Sequence, residues 1–231
     1  MVFPRPIQAV IFDMDGLLID SESVYRDAII AAAAQLGHDL PESVFKRMIG
    51  LPDTGSGQVL IDHFGPELDL QALWSDATHR FRQVTQAGVA LKTGVLELLE
   101  HLEALGLPCA IATSSPHESV DHHIAESGIL HRFKAVIARG DYARGKPFPD
   151  PYLAAASALA IEPHHCLALE DSHNGVRAAH AAGMMTIMVP DLLEPTDEMV
   201  DKCLMIAESL HHVLDVIQGT PLPEGEGGAQ P

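Results

Sequence analysis

The stretch "AVIFDMDGLLIDSESVY", residues 9–25, joins an apolar, β-prone run (Ala9, Val10, Ile11, Phe12) to two acids, Asp13 and Asp15, followed by Gly16. An apolar run without alternation suits a strand covered on both faces. We read that strand as residues 8–13, with its acids at the mouth of a sheet. Further runs of the same kind lie at 109–113 (CAIAT), 134–138 (KAVIA), 166–170 (CLALE), 184–189 (MMTIMV) and 203–206 (CLMI).

Helical patterns fill the spaces. Residues 94–105 place Val95, Leu98, Leu99, Leu102 and Leu105 on one face, and Gly106 ends the helix. In "SSP", 114–116, Pro116 suits a first helical position, and in "DPYLAAASALA", 150–160, Asp150 suits a cap before Pro151. A helix over 172–183 ends on Gly183. Alternating strands and helices predict an α/β fold with a Rossmann-like, doubly wound parallel sheet. About ninety residues separate the first two strands, more than one crossover needs. They hold helical patterns at 22–36, 42–48, 56–64 and 67–87. The expected organisation is an α/β core from 1–17 and 89–218, an inserted all-helical cap at 18–88, and a disordered tail at 219–231.

The bulk composition narrows the partners. Fourteen Lys and Arg against 32 Asp and Glu leave a net charge of −18. Such a chain repels nucleic acid and anionic membranes, so neither is an expected partner. Cys109, Cys166 and Cys203 are an odd set bordering apolar stretches, read as buried thiols in a reducing compartment. No apolar run reaches membrane-spanning length and "MVFPRPIQ" has no signal-peptide pattern, so the expected location is the cytoplasm. The fourteen histidines show no ligand spacing and read as surface residues.

Ligands of open α/β sheets bind outside the carboxyl ends of the strands. The first strand delivers Asp13 and Asp15 there, whose spacing lets both point the same way as the strand runs out. The second delivers Thr113, then Ser114 and Ser115 at a helix start. The fourth delivers Glu170 and Asp171. Lys146 stands in the loop "GKPFPDP". Clustered carboxylates without a soft donor suit Mg²⁺. The Thr113 hydroxyl, free N–H groups at Ser114 and Ser115, and the Lys146 ammonium suit a phosphoryl group. One aspartate can attack phosphorus while the other moves protons.

"FDMDGLLIDSE", "ATSS", "GKPFPDP" and "LEDSHNGV", in this order, resemble the four motifs of the haloacid dehalogenase-like hydrolases. Within that superfamily they resemble the β-phosphoglucomutase-like phosphatases with a helical cap. The resemblance spans nearly the whole chain before the tail. It implies Asp13 as nucleophile and Asp15 as general acid/base with its carbonyl on Mg²⁺. Thr113 and the Ser114 amide would bind phosphate, and Lys146 would hold nucleophile and phosphate together. Asp171 with Glu170 would complete the metal site, although Glu170 also fits a supporting position behind the ligands. Asp15 argues for phosphoryl transfer, since the dehalogenases of the superfamily lack a carboxylate there. Some of the wording ("IFDMDGLL", "ATSS", "NGV", "MVPD") is similar to that of pseudouridine 5′-phosphatases.

The expected activity is Mg²⁺-dependent hydrolysis of a small-molecule phosphomonoester by a monomer with a moving lid. Ser21, Glu22, Tyr25, Lys46 and Arg47 are candidate substrate contacts in the cap. A phosphomutase is the alternative, weakened because Tyr25 stands where the related mutases place a histidine. A phospho-aspartate signalling module is a further alternative, and Asp15 has no use in it.

Overall fold

The computed structural model describes residues 3–49, 51, 53–86 and 88–219. Six strands form one parallel sheet: β1 (Ala9–Phe12), β2 (Cys109–Pro116), β3 (Phe133–Arg139), β4 (Cys166–Glu170), β5 (Met185–Met188) and β6 (Met205–Ile206). Their order is β3-β2-β1-β4-β5-β6. The chain therefore reverses its direction of growth at β1, between β2 and β4. A crevice opens at such a reversal, at the carboxyl ends of the strands.

The alternation of side chains divides each strand between two layers. Val10 and Phe12 pack with Ile111, Leu167, Leu169 and Ile187. Over that face lie α5 (Val95–Ala104), α6 (His117–Glu126) and α10 (Leu210–Gln218), which bury Leu98, Val120 and Val213. Ala9 and Ile11 face the other way with Ala110, Ala112 and Ala168. There the small side chains admit α7 (Asp150–Leu159) and α8 (His173–Ala181) close to the sheet. The short α9 (Asp197–Lys202) caps the β5 end through Met199, packed on Val176 and Met188.

Four helices intervene between β1 and β2: α1 (Ser21–Gln35), α2 (Glu42–Lys46), α3 (Asp53–Phe64) and α4 (Leu70–Thr85). They bury a core of their own around Ile29, Ala33, Leu40, Phe45, Leu60 and Leu73. Two linkers join this insert to the sheet, and they run side by side. Asp20 N donates to Ala90 O at 2.9 Å, Lys92 N donates to Leu18 O at 3.0 Å, and Ile19 bridges Leu91 antiparallel.

Several local expectations need correction. Pro116 ends β2 instead of opening a helix, because the strand bulges after Ala112 and resumes pairing at Pro116 opposite Arg139. Asp150 is the first residue of α7, behind Pro149 in the N-cap position, and does not cap the helix. Its carboxylate instead takes Arg144, with Nη2 at 2.8 Å and Nε at 3.2 Å. His123 is not at the surface: it is buried beneath the ring of Phe81, centroids 5.9 Å apart, and its Nδ1 has no hydrogen-bond partner. Burial, and then His122, lower its pKa. Cys109 and Cys166 are buried free thiols, while Cys203 is half-buried. No helix among the described residues is long and apolar enough to cross a membrane. Residues 220–231 of the expected tail lie outside the described residues.

Candidate active site

The carboxyl ends of β1, β2 and β4 meet at a cleft of about 670 Å³ between the sheet and the helical insert. Asp13, Asp15, Thr113, Ser114, Lys146 and Asp171 line it from the sheet side. Ser21, Glu22 and Tyr25 line it from the start of α1. Lys46 and Arg47 do not line it: both are exposed, and Lys46 pairs with Glu42 one helical turn away at 3.2 Å. Helix periodicity explains the difference. Val44, Phe45 and Met48 take the buried face of this segment, which leaves 46 and 47 to solvent.

Asp13, Glu170 and Asp171 offer carboxylate oxygens within 4.8 Å of one another. Lys146 reaches into this group. Its ammonium contacts both Asp13 Oδ1 and Glu170 Oε1, and its side chain is only 6% exposed. Burial pushes the Asp13 carboxyl up to about 8, against the opposing pull of Lys146 and with added repulsion from Glu170 and Asp15. Asp171 is raised well above the carboxylate range by burial, then by Glu170 and Asp13. Burial would lower the pKa of Lys146, but Asp13 and Glu170 overcome that and raise it. The site thus concentrates acids beyond what one ammonium balances. An all-oxygen donor set of this kind fits a hard divalent cation such as Mg²⁺.

Glu170 is the most constrained acid. It is fully buried and accepts from Tyr152 OH at 2.8 Å, Ser172 Oγ at 2.9 Å, and the N–H groups of Asp171 and Ser172 at 3.1 Å. Tyr152 was not foreseen. Its place in the α7 pattern reads as apolar core, and the only clue is that a buried phenol needs a polar partner.

Asp15 turns away from the three-acid group. Ser21 Oγ donates to its Oδ1 at 2.7 Å, and Ser115 Oγ donates to its Oδ2 at 2.6 Å. Thr113 Oγ1 lies 3.4 Å from the same oxygen. Ser21 opens the insert, so Asp15 ties the sheet to the first helix above it. Ser114 and Ser115 lie on the last residues of β2, not in the first turn of α6. The Ser115 N–H donates to Thr113 Oγ1 at 3.0 Å, which removes it from the expected phosphate cradle. The Ser115 hydroxyl gains a function that its sequence position did not suggest. Arg139, at the end of β3, and Phe81, on α4, also line the cleft without having been foreseen.

Beside the site, Lys92 of the second linker pairs with Asp191 at 2.7 Å and lies 3.7 Å from Asp20 of the first. Gly16 is required where the chain passes between the acids. Its φ is +83°, and a Cβ there would collide with Asp171 Oδ2 and sit 3.3 Å from Asp191 Oδ2.

The sequence profile described as haloacid dehalogenase-like hydrolase matches residues 10–189. A Drosophila melanogaster protein named "Probable pseudouridine-5′-phosphatase" is 32% identical over 196 residues, covering 81% of this chain and 83% of that one. A Thermotoga maritima protein named "Phosphorylated carbohydrates phosphatase" is 28% identical over 181 residues, covering 78% of this chain and 84% of its own length. Among solved structures, a HAD family hydrolase from Deinococcus radiodurans with bound phosphate and sodium superposes with a TM-score of 0.78. It is 26% identical, with 92% of this chain and 95% of that chain covered.

Proposed function

The chain belongs to the haloacid dehalogenase-like hydrolases, and from that premise we propose that it is a phosphatase that hydrolyses a small phosphorylated metabolite through an aspartyl-phosphate on Asp13. The observation that carries this reading is the division of labour between the two acids of β1. Asp13 sits against Lys146 in the buried acid group, while Asp15 is held apart from it by Ser21 and Ser115. The substrates named for the relatives, a pseudouridine phosphate and phosphorylated carbohydrates, place the search among sugar phosphates and nucleotide-like monoesters.

The attacking, proton-moving and phosphate-holding roles all fall on residues that line the cleft. A carboxylate oxygen of Asp13 attacks phosphorus, and the bond from phosphorus to the ester oxygen breaks. Asp15 gives its proton to the departing alcohol. Asp15 then takes a proton from water, whose oxygen attacks the same phosphorus and releases inorganic phosphate and free Asp13. The Lys146 ammonium steadies Asp13 and the charge on the phosphoryl oxygens. Thr113 and Ser114 face the same cleft and would hold those oxygens. Asp13, Glu170 and Asp171, with the Asp15 carbonyl, would hold Mg²⁺, which when bound neutralises phosphoryl charge. The helical insert covers the cleft and would limit the access of water.

The test is phosphate release from a panel of phosphorylated sugars, nucleotides and small acids with Mg²⁺. The expected result is turnover that EDTA abolishes and Mg²⁺ restores, and that Asp13→Asn lacks. Full activity in Asp13→Asn would remove the mechanism.

A further inference from the structure

Asp191, in the loop after β5, has no part in the reaction proposed above, yet its side chain is only 10% exposed. Its two oxygens meet different groups. Oδ1 takes the Lys92 ammonium at 2.7 Å, where the second linker runs beside the first, and that ammonium also lies 3.7 Å from Asp20 of the first linker. Oδ2 is buried and has no hydrogen-bond partner among the described residues. The next residue, Leu192, packs against the core of the insert, which fixes the loop from the other side.

The unpartnered oxygen faces Gly16. Chain neighbours apart, the atoms closest to the point where a Gly16 Cβ would stand belong to Asp171 and Asp191, with Asp171 Oδ2 the nearest and Asp191 Oδ2 at 3.3 Å. The two carboxylate oxygens therefore border one small space, no more than about 6 Å across, the span of a single bridging water. Asp191 also adds to the repulsion on the Glu22 carboxyl in the cleft wall, so its charge is felt in the site.

A buried carboxylate oxygen without a donor is unfavourable. A source of donors belongs beside it: Asp171 is one of the acids that would hold Mg²⁺. Mg²⁺ gives up its waters reluctantly and keeps several when protein carboxylates bind it, and each such water brings O–H donors that need acceptors.

We propose that Asp191 is a positioning residue that joins the metal site to the hinge of the insert: Oδ1 clamps the linkers through Lys92, and Oδ2 accepts a hydrogen bond from a water on the Mg²⁺ held by Asp171. The inference rests on the phosphatase reading and its metal, and adds a residue that touches neither phosphate nor Mg²⁺. By reciprocity, metal binding stiffens the linker crossing and a firm crossing favours metal binding.

The test is calorimetric titration of the metal-free chain with Mg²⁺, without substrate. Asp191→Asn keeps an oxygen for Lys92 but turns an NH₂ donor toward Asp171. It is expected to lower Mg²⁺ affinity at least about tenfold, as loss of an outer hydrogen-bond partner does at metal sites. Lys92→Met separates this from the field of a charge. Were charge alone at work, removing a cation near the site would raise Mg²⁺ affinity. Because Lys92 holds Asp191 in place, the affinity is expected to fall severalfold, and the double variant to bind no more weakly than Asp191→Asn. Hydrogen exchange at the Asp20 and Lys92 amides, which close the linker pair, is expected to slow with Mg²⁺ in the wild-type chain and not in Asp191→Asn. Urea unfolding without metal establishes that each variant compared is folded; should Asp191→Asn fail to fold, the sign of the change in Lys92→Met decides. Unchanged affinity in Asp191→Asn, a rise in Lys92→Met, or linker amides indifferent to Mg²⁺ would overturn the inference. Affinities that respond as expected in a chain that releases no phosphate would refute the phosphatase reading alone. Phosphate release by a chain whose Asp191→Asn variant binds Mg²⁺ unchanged would refute this inference alone.

Discussion

Replacing Gly175 with alanine sets two effects of opposite sign against each other. Gly175 lies in the first turn of α8, where alanine in place of glycine ordinarily stabilises a helix by about 1 kcal/mol. Here a Cβ would overlap the carboxyl carbon of Glu170 and both its oxygens. A free carboxylate would swing aside at little cost. This one is pinned by Lys146, Tyr152, Ser172 Oγ and two backbone N–H groups. Clearing the methyl group breaks at least two of those bonds, and each hydrogen bond to a charged group contributes about 1.5–3 kcal/mol. Two such losses, about 3–6 kcal/mol, less the helix gain of about 1, leave Gly175→Ala destabilised by about 2–5 kcal/mol. Displacing Glu170 also disturbs the acid group, so Mg²⁺ affinity is expected to fall by about 10- to 100-fold. Urea unfolding without metal reads the first effect, and calorimetric titration with Mg²⁺ reads the second. A Gly175→Ala chain that is more stable than wild type and binds Mg²⁺ unchanged would show that Glu170 is not held, and the reasoning would fail.

Three further outcomes follow, two from the site and one from the buried thiols. Tyr152→Phe removes a buried phenol donor to Glu170 and is expected to cost about 1.5–3 kcal/mol in urea unfolding; a change below about 0.5 kcal/mol would mean that Lys146 and the backbone suffice. Burial raises Asp13 to about 8, far above the usual value for an unfolded aspartate, so the folded metal-free chain binds more protons than the unfolded one between those two values. Its stability is therefore expected to fall as pH rises from about 4 to 8, and the increase in Tm produced by Mg²⁺, which competes with those protons, to grow over that window. A Tm increment independent of pH would contradict it. Burial pushes the Cys109 thiol up to about 12 and the Cys166 thiol up to about 11. Mass spectrometry after iodoacetamide treatment at about pH 8 is expected to find both unmodified in the native chain and alkylated after denaturation; native alkylation would contradict their burial.

The sequence made the sheet legible because β1, β4 and β5 are buried at every residue and β2 over its first five, so these runs carry little polarity. Their apolar runs between glycine and proline punctuation announce themselves without a partner in view. The acids at 13, 15, 170 and 171 were legible for the same reason: charge at the end of an apolar run stands out. What stayed hidden depends on contacts distant in sequence. Ser115 reads as a helix cap until Asp15, 100 residues away, appears beside its hydroxyl. Tyr152 and His123 read as ordinary core and surface residues because local pattern carries no record of a partner on another element. Lys46 and Arg47 show the converse. Their place in the cap suggested substrate contact, but the phase of the helix leaves both side chains exposed.

The two linkers carry a consequence for the lineage of the molecule. Leu18 and Lys92 share a hydrogen bond, so the insert leaves the sheet and rejoins it at one place. For the α/β layer, the whole excursion is closed like the turn of a hairpin, and its length adds only a slowly growing entropic term. The four-helix insert can therefore be lengthened, trimmed or exchanged with little disturbance of the sheet beneath it.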